Sequence, residues 1–201
     1  MFDSTNPFAI PPTAAMVAGY VDGIFVWSPA AWARFAAAVK VRIAVFASTN
    51  DGHVLDVERG DATPAQAPGW VQRRRAAGVD PSVYCNTSTW PAVQAAFVSA
   101  GVAQPHYWVA HYGAGSAIPA GAVAIQYADP AAGSGGQWDI SAVADSWPGV
   151  DQGGPVTAPN TPDDVAAVGY LAGDNRVKMP DGNSRNVFDC LYDTAQRLIQ
   201  L

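Results

Sequence analysis

Short apolar runs alternate with stretches of helical periodicity along most of the chain, and turn residues punctuate them. Met16-Val17-Ala18-Gly19-Tyr20 reads as a first strand. A helix over 29–39 follows, with Trp32, Phe35 and Ala36 on one face. A continuous apolar strand over 41–47, an Asn50-Asp51-Gly52 turn and a strand over 54–57 come next. Thr63 as an N-cap and Pro64 at the first helical position open a helix over 63–77, and Gly78 closes it. Strand 82–85 leads to helix 89–100, stopped by Gly101, and short strands follow at 106–111, 123–127 and 138–140. Repeated strand–helix units on short loops predict parallel strands with helical crossovers. The expected fold class is therefore α/β, an irregular and shortened β/α barrel of the TIM type, because little helix separates the later strands.

The pattern changes near Pro148. Residues 149–161 are rich in Gly, Pro, Thr and Asn and read as a linker between a barrel over 1–148 and a helical appendage over 162–201. Thr161-Pro162-Asp163-Asp164 has the form of a helix start, and Pro180-Asp181-Gly182-Asn183 that of a turn. From about Ser184 to the chain end, Val187, Leu191, Ala195, Leu198 and Ile199 recur at helical spacing. Such a stripe packs into a core, or it docks on another copy or a partner.

Composition narrows the class. The 201 residues are 49% hydrophobic and 14% charged, with 19 Gly and 16 Pro, which describes a loop-rich globular protein able to bury a full core. A net charge of −6 argues against a nucleic-acid surface. The basic run Arg73-Arg74-Arg75 is expected on a solvated helix face. No apolar run reaches membrane-spanning length, and the N-terminus lacks the charged and apolar regions of a signal peptide. Cys85 and Cys190 are too far apart in sequence for a disulfide framework or a zinc site and are expected as free thiols. No spacing of His53, His106 and His111 suits a metal, and no Gly-rich loop precedes a helix to cradle a phosphate, so no cofactor is expected.

Val54-Leu55-Asp56-Val57-Glu58 carries the sharpest chemistry. Residues i and i+2 of a strand share a side, so Asp56 and Glu58 stand together with carboxyls about 5–8 Å apart at a rise of about 3.3 Å per residue. That is the spacing at which two acids flank a glycosidic bond, and mutual repulsion keeps one of them protonated as a general acid. The bland alternative is a helix-capping acid with a salt-bridged neighbour. In a barrel of parallel strands, catalytic groups sit at the C-terminal strand ends. Asp22, Asp56 with Glu58, Tyr84 with Asn86, His111 with Tyr112, and Gln126 with Tyr127 all fall at such ends, and Asp139 lies in the last strand. Seven Trp and seven Tyr add faces on which sugars stack. Trp27 is a candidate for that role, whereas Trp32, Trp70 and Trp90 are expected to pack helices on strands.

These residues, in order, resemble the family 25 glycoside hydrolases, the lysozyme-type muramidases of phage endolysins and bacterial autolysins. Leu55-Asp56-Val57-Glu58 is similar to the family's acidic strand, and Val83-Tyr84 to its next strand. Tyr107-Trp108-Val109-Ala110-His111-Tyr112 is similar to its Trp-x-Ala-x-Tyr strand. Ile125-Gln126-Tyr127 and Trp138-Asp139-Ile140-Ser141 are similar to its closing motifs. The resemblance implies cleavage of the β-1,4 bond after N-acetylmuramic acid in peptidoglycan. Glu58 would be the general acid, Asp56 would tune it or stabilise developing positive charge, and Asp139 and Asp22 would complete the acidic cluster. Trp108, Tyr112 and Gln126 would line the sugar groove. Two departures stand out. The family's Gly-x-Asp register is shifted in Gly19-Tyr20-Val21-Asp22, and the stretch between that first strand and Asp56 is short enough that at least one strand–helix unit is expected to be missing there. The implied partners are a bacterial surface glycan and, through the C-terminal appendage, virion proteins or a second copy, with neither nucleic acid nor membrane. The protein would reside in the host cytoplasm until lysis or ride on a virion. The competing expectation is a catalytically inactive structural or carbohydrate-binding virion protein on the same barrel.

Overall fold

The computed structural model describes residues 1–129 and 137–150, together with the backbone of Arg176–Lys178 and Ser184–Asn186. The chain divides into two compact units, Met1–Gln152 and Gly153–Leu201.

The first unit is a closed, mostly parallel barrel of eight strands. In chain order these are β1 (Phe2–Asp3), β2 (Met16–Tyr20), β3 (Val39–Ala44), β4 (Val54–Asp56), β5 (Ser82–Asn86), β6 (His106–Ala110), β7 (Ala124–Ala128) and β8 (Asp139–Val143). Strands β1 to β7 run parallel to their neighbours, and β8 closes the ring antiparallel to both β7 and β1. The strand not expected from the sequence is β1. It precedes β2, so it completes the ring of eight without filling the expected gap between β2 and Asp56, where β3 is the one strand that intervenes.

Three α-helices are found among the described residues: α1 (Pro29–Ala33), α2 (Ala67–Ala76) and α3 (Trp90–Ala100). Helix α1 starts as expected, with the Ser28 hydroxyl accepting from Ala31 N–H at 3.2 Å, but it ends well short of 39. Helix α2 starts at Ala67 and not at Thr63. The Gln66 side chain takes both the Thr63 N–H and the Thr63 hydroxyl, at 2.9 and 3.0 Å, so Thr63 is not free to cap. Helix α3 ends on Gly101 in the left-handed conformation at φ 64°, as its sequence predicts.

Alternation along the strands sorts the core into an inside and an outside. Val41, Ile43, Val54, Tyr84, Trp108 and Ala124 fill the barrel with Trp147. Leu55, Val57, Val83, Cys85 and Val109 face outward against Trp70 and Val71 of α2 and Val93 and Phe97 of α3. Cys85 is buried and free. The arginine run is only in part a solvated face: Arg73 is exposed and Arg75 half-buried. Arg74 is buried and donates to the carbonyls of Gly52 and Asn50 at 3.0 and 2.7 Å, while Arg75 holds the carbonyls of Ala103 and Gln104.

In the second unit, β9 (Arg176–Lys178) and β10 (Ser184–Asn186) pair antiparallel. A helix therefore does not begin at Ser184. The expected turn at 180–183, the helix start at 161–164 and the apolar stripe from Val187 lie outside the described residues, as do most of the expected linker and Cys190. No helix among the described residues is long and apolar enough to cross a membrane.

Candidate active site at the C-terminal mouth

Strand direction brings the acids together. The C-terminal ends of β1 to β7 and the N-terminal end of β8 form one mouth, and Asp3, Asp56 and Asp139 all lie on it. Asp3 and Asp139 are directly opposed across the β1/β8 pair. Asp56 pairs with Tyr84, which continues the same rim through β5. Val54 faces the barrel interior, so two residues on Asp56 does as well, and Glu58 follows it onto the loop.

Gln126 organises one side of this mouth. Its Oε1 accepts from the hydroxyls of Tyr84 and Tyr112. That fixes the amide, because only its NH2 end then remains to face the acids. The Nε2 donates to both carboxyl oxygens of Asp3 at 3.2 and 3.1 Å and to Oδ2 of Asp139 at 3.0 Å. Two acids placed directly opposite would repel. Burial, then repulsion from Asp139, pushes the Asp3 carboxyl up to about 8, despite the Gln126 bond that favours its ionised form. Burial, with Asp129 and Glu58 nearby, pushes Asp139 up to about 6.

The other side holds Asp56 and Glu58. Asp56 is 6% exposed, and its Oδ1 has no hydrogen-bond partner among the described residues. Burial, followed by Glu58, Asp61 and Asp3, drives its carboxyl well above the usual carboxylate range. Glu58 is half-buried, and its carboxyl is raised by burial and then by Asp61. Asp61, in the loop after Glu58, is itself raised by burial and by Asp22. Neighbouring Arg59 is exposed and forms no ion pair among the described residues. Among the described residues, no group of three or more His, Cys, Asp or Glu side chains is arranged to hold a metal.

Several residues expected here sit elsewhere. Asp22 accepts the backbone N–H groups of Val45 and Phe46 at 2.7 and 3.2 Å, so it braces the loop after β3. Trp27 is 3% exposed outside the barrel, where its indole N–H donates to the Ser4 carbonyl at 3.0 Å. Its ring lies on Gly19, where a Cβ would come within 2.4 Å of it. Trp108 is 1% exposed inside the barrel, wedged between Tyr84 and Trp147 and bonded to Ser141 Oγ. Neither indole offers a face to a sugar. Tyr84 and Gln126 are buried members of the network, whereas Tyr112 is 46% exposed on the rim. His111 is exposed beside it with its backbone N–H on the Gln126 carbonyl, and Tyr127 is half-buried at the β7 irregularity.

Asp3 is the acid that the sequence did not offer. A two-residue strand has no periodicity to detect, and the only signal was an apolar–acid–hydroxyl triplet, Phe2-Asp3-Ser4. Asp61 had a weaker one, a third acid close behind Asp56 and Glu58. No model of a known protein family matches the chain, and no curated protein matches it. The likeness to the family 25 glycoside hydrolases therefore rests on the ordered residues, and the structure adds the closed eight-stranded barrel.

Proposed function

We propose that this protein is a peptidoglycan hydrolase of the muramidase type, cleaving β-1,4 glycosidic bonds without a metal or organic cofactor. One observation carries the reading. Asp3, Asp56, Glu58 and Asp139 converge on one barrel mouth, where burial is the first cause raising the proton affinity of each. Glu58, the more open member of its pair, delivers its proton to the glycosidic oxygen as the C–O bond breaks. Asp56 beneath it stays neutral, while burial and the Asp61 charge keep the Glu58 proton affinity high. Asp139, ionised above about pH 6, faces the positive charge that develops on the sugar. Water adds at the anomeric carbon and returns a proton to Glu58. On this reading the protein acts on the bacterial surface, after release at lysis or from a virion.

The test is turnover of purified cell walls, with chemical identification of the new reducing end. A new N-acetylmuramic acid end supports the assignment, and intact walls after prolonged incubation overturn it. A second reading is a binding protein that kept the barrel and lost the chemistry. The sealing of Asp56 at 6% exposure and the burial of Trp108 favour it. Wall sedimentation without new reducing ends would identify that case.

A further inference from the structure

The mouth contains a third tyrosine whose hydroxyl is uncommitted. Tyr84 and Tyr112 both spend theirs on Gln126. Tyr20, at the C-terminal end of β2, is held from other directions: its carbonyl accepts from Trp27 N–H at 2.9 Å, and its ring lies 6.3 Å from Phe25. Its hydroxyl makes no hydrogen bond among the described residues. Tyr20 lines an open pocket of about 290 Å3 together with Asp3, Thr5, Asn6, Trp138 and Asp139. That volume is at the small end of ligand sites, which run from roughly 300 to 1,000 Å3, and it suits a single sugar ring. Asp3, Asp56, Asp139 and Asp61 all act on the phenol, and together with burial, the largest cause, they keep it protonated. A phenol that stays protonated can donate throughout the working pH range.

We propose that Tyr20 binds substrate, donating its hydroxyl hydrogen bond to an oxygen of the sugar ring seated between β1, β2 and β8. The proposal rests on the glycan reading above and adds the residue that holds the sugar against Asp3 and Asp139. The pocket wall is polar through Ser4, Thr5, Asn6 and Gln137, with Trp138 as its aromatic member, a lining matched to a polyhydroxylated ring. The rival role for Tyr20 is to serve Asp56, whose Oδ1 lacks a partner. In that role Tyr20 would act through the acid and not through the ligand.

The experiment compares the full-length protein with its Tyr20→Phe variant on soluble peptidoglycan fragments of two disaccharide units. Loss of one neutral hydrogen bond predicts a KM about 3–10-fold higher, with kcat and the pH profile unchanged. An unchanged KM, or a shifted pH profile with KM constant, overturns the proposal, the second outcome by assigning Tyr20 to Asp56. A protein that neither binds nor cleaves the fragments overturns the glycan reading, and this inference falls with it. Should the variant not fold, tyrosine ζ-carbon labelling of the unaltered protein gives the same decision. Fragment binding should then move the Tyr20 resonance, identified through its contact with Phe25, and a stationary Tyr20 overturns the proposal.

Discussion

At the N-terminal end of the barrel, charged groups are matched to partners. Arg42 pairs with Asp51, Arg74 and Arg75 hold backbone carbonyls of the loops before β4 and β6, and His106 Nε2 lies 3.0 Å from Asp80. His53 is pushed down to about 4, chiefly by burial, and its neutral Nδ1 accepts the Arg42 N–H. Trp147 closes the interior there, its indole N–H on Ser82 Oγ at 2.7 Å. Gly149 lets the chain cross Asp80, since a Cβ would meet that carbonyl at 2.0 Å. The C-terminal mouth has the opposite character. Its acids are buried beside one another, no ion pair relieves them among the described residues, and Asp56 Oδ1 and Asp139 Oδ1 have no hydrogen-bond partner there. One end is built for stability, and the other tolerates like charges at a cost, the expected division in a barrel whose chemistry sits at one rim.

The sharpest way to break this comparison is Glu58→Gln. If the mouth performs general acid catalysis, the rate of wall lysis should fall by about 10²–10⁴. The melting temperature should stay near that of the parent, because the amide keeps the shape of the acid. Equal lysis at matched stability would remove Glu58 from the chemistry.

Trp147→Ala should produce the converse result at the other end. Trp147 is fully buried, and emptying a site of that size costs about 3–5 kcal/mol. Denaturant unfolding should show that loss, while lysis per folded molecule stays unchanged. A variant that keeps its stability would show that the interior does not depend on this plug.

Between these extremes lies the pH dependence of stability. Asp3 is raised from 3.8 to about 8 and Asp139 to about 6, so the folded state binds protons that the unfolded chain has already released. Stability from these groups is fully present below about pH 4 and is lost as pH rises toward 8. Melting at fixed salt should therefore be lower at pH 8.5 than at pH 5. Asp3→Asn should flatten the upper part of that curve. A melting temperature that rises steadily from pH 5 to 8.5 would contradict the burial of these acids.

The same two ends explain what the sequence made legible. Strand β5 announces itself through a continuous buried run, Ser82 to Cys85, and α3 through its Gly101 stop. Strand β1 does not, because two residues form a strand only where β2 and β8 already offer edges. Asp56, Gln126 and Asp139 were legible because each lies in a strand that the pattern predicts, and Glu58 because it follows Asp56 by two residues. Their order along the chain matches their order around the rim. Trp108 misled because its place in β6 gives its side of the sheet but not its depth in the barrel. Gln126 and Tyr127 are adjacent, so the strand period allows only one of them to face inward, and the sequence alone does not say which. Arg74 misled because its partners are backbone carbonyls, and these leave no mark in a pattern of side chains.

The smallest effect tests the assignment that moved furthest. Asp22 entered as a member of the acidic cluster, yet its carboxylate accepts the Val45 and Phe46 amides. Asparagine keeps one acceptor oxygen and loses the other, so Asp22→Asn should cost about 1 kcal/mol in unfolding experiments. Its effect on lysis should be slight, and its sign follows from Asp61. Asp22 is among the causes that raise the Asp61 carboxyl, and Asp61 in turn raises Glu58 and Asp56. Neutralising Asp22 therefore lowers the proton affinity of Asp61, leaves it more ionised, and through it slightly strengthens proton retention at Glu58. The alkaline limb of the activity profile should move upward by a fraction of a pH unit, with the maximum rate preserved. A loss of maximum rate comparable to that of Glu58→Gln would return Asp22 to the catalytic group and would mean that the loop after β2 moves inward when substrate binds.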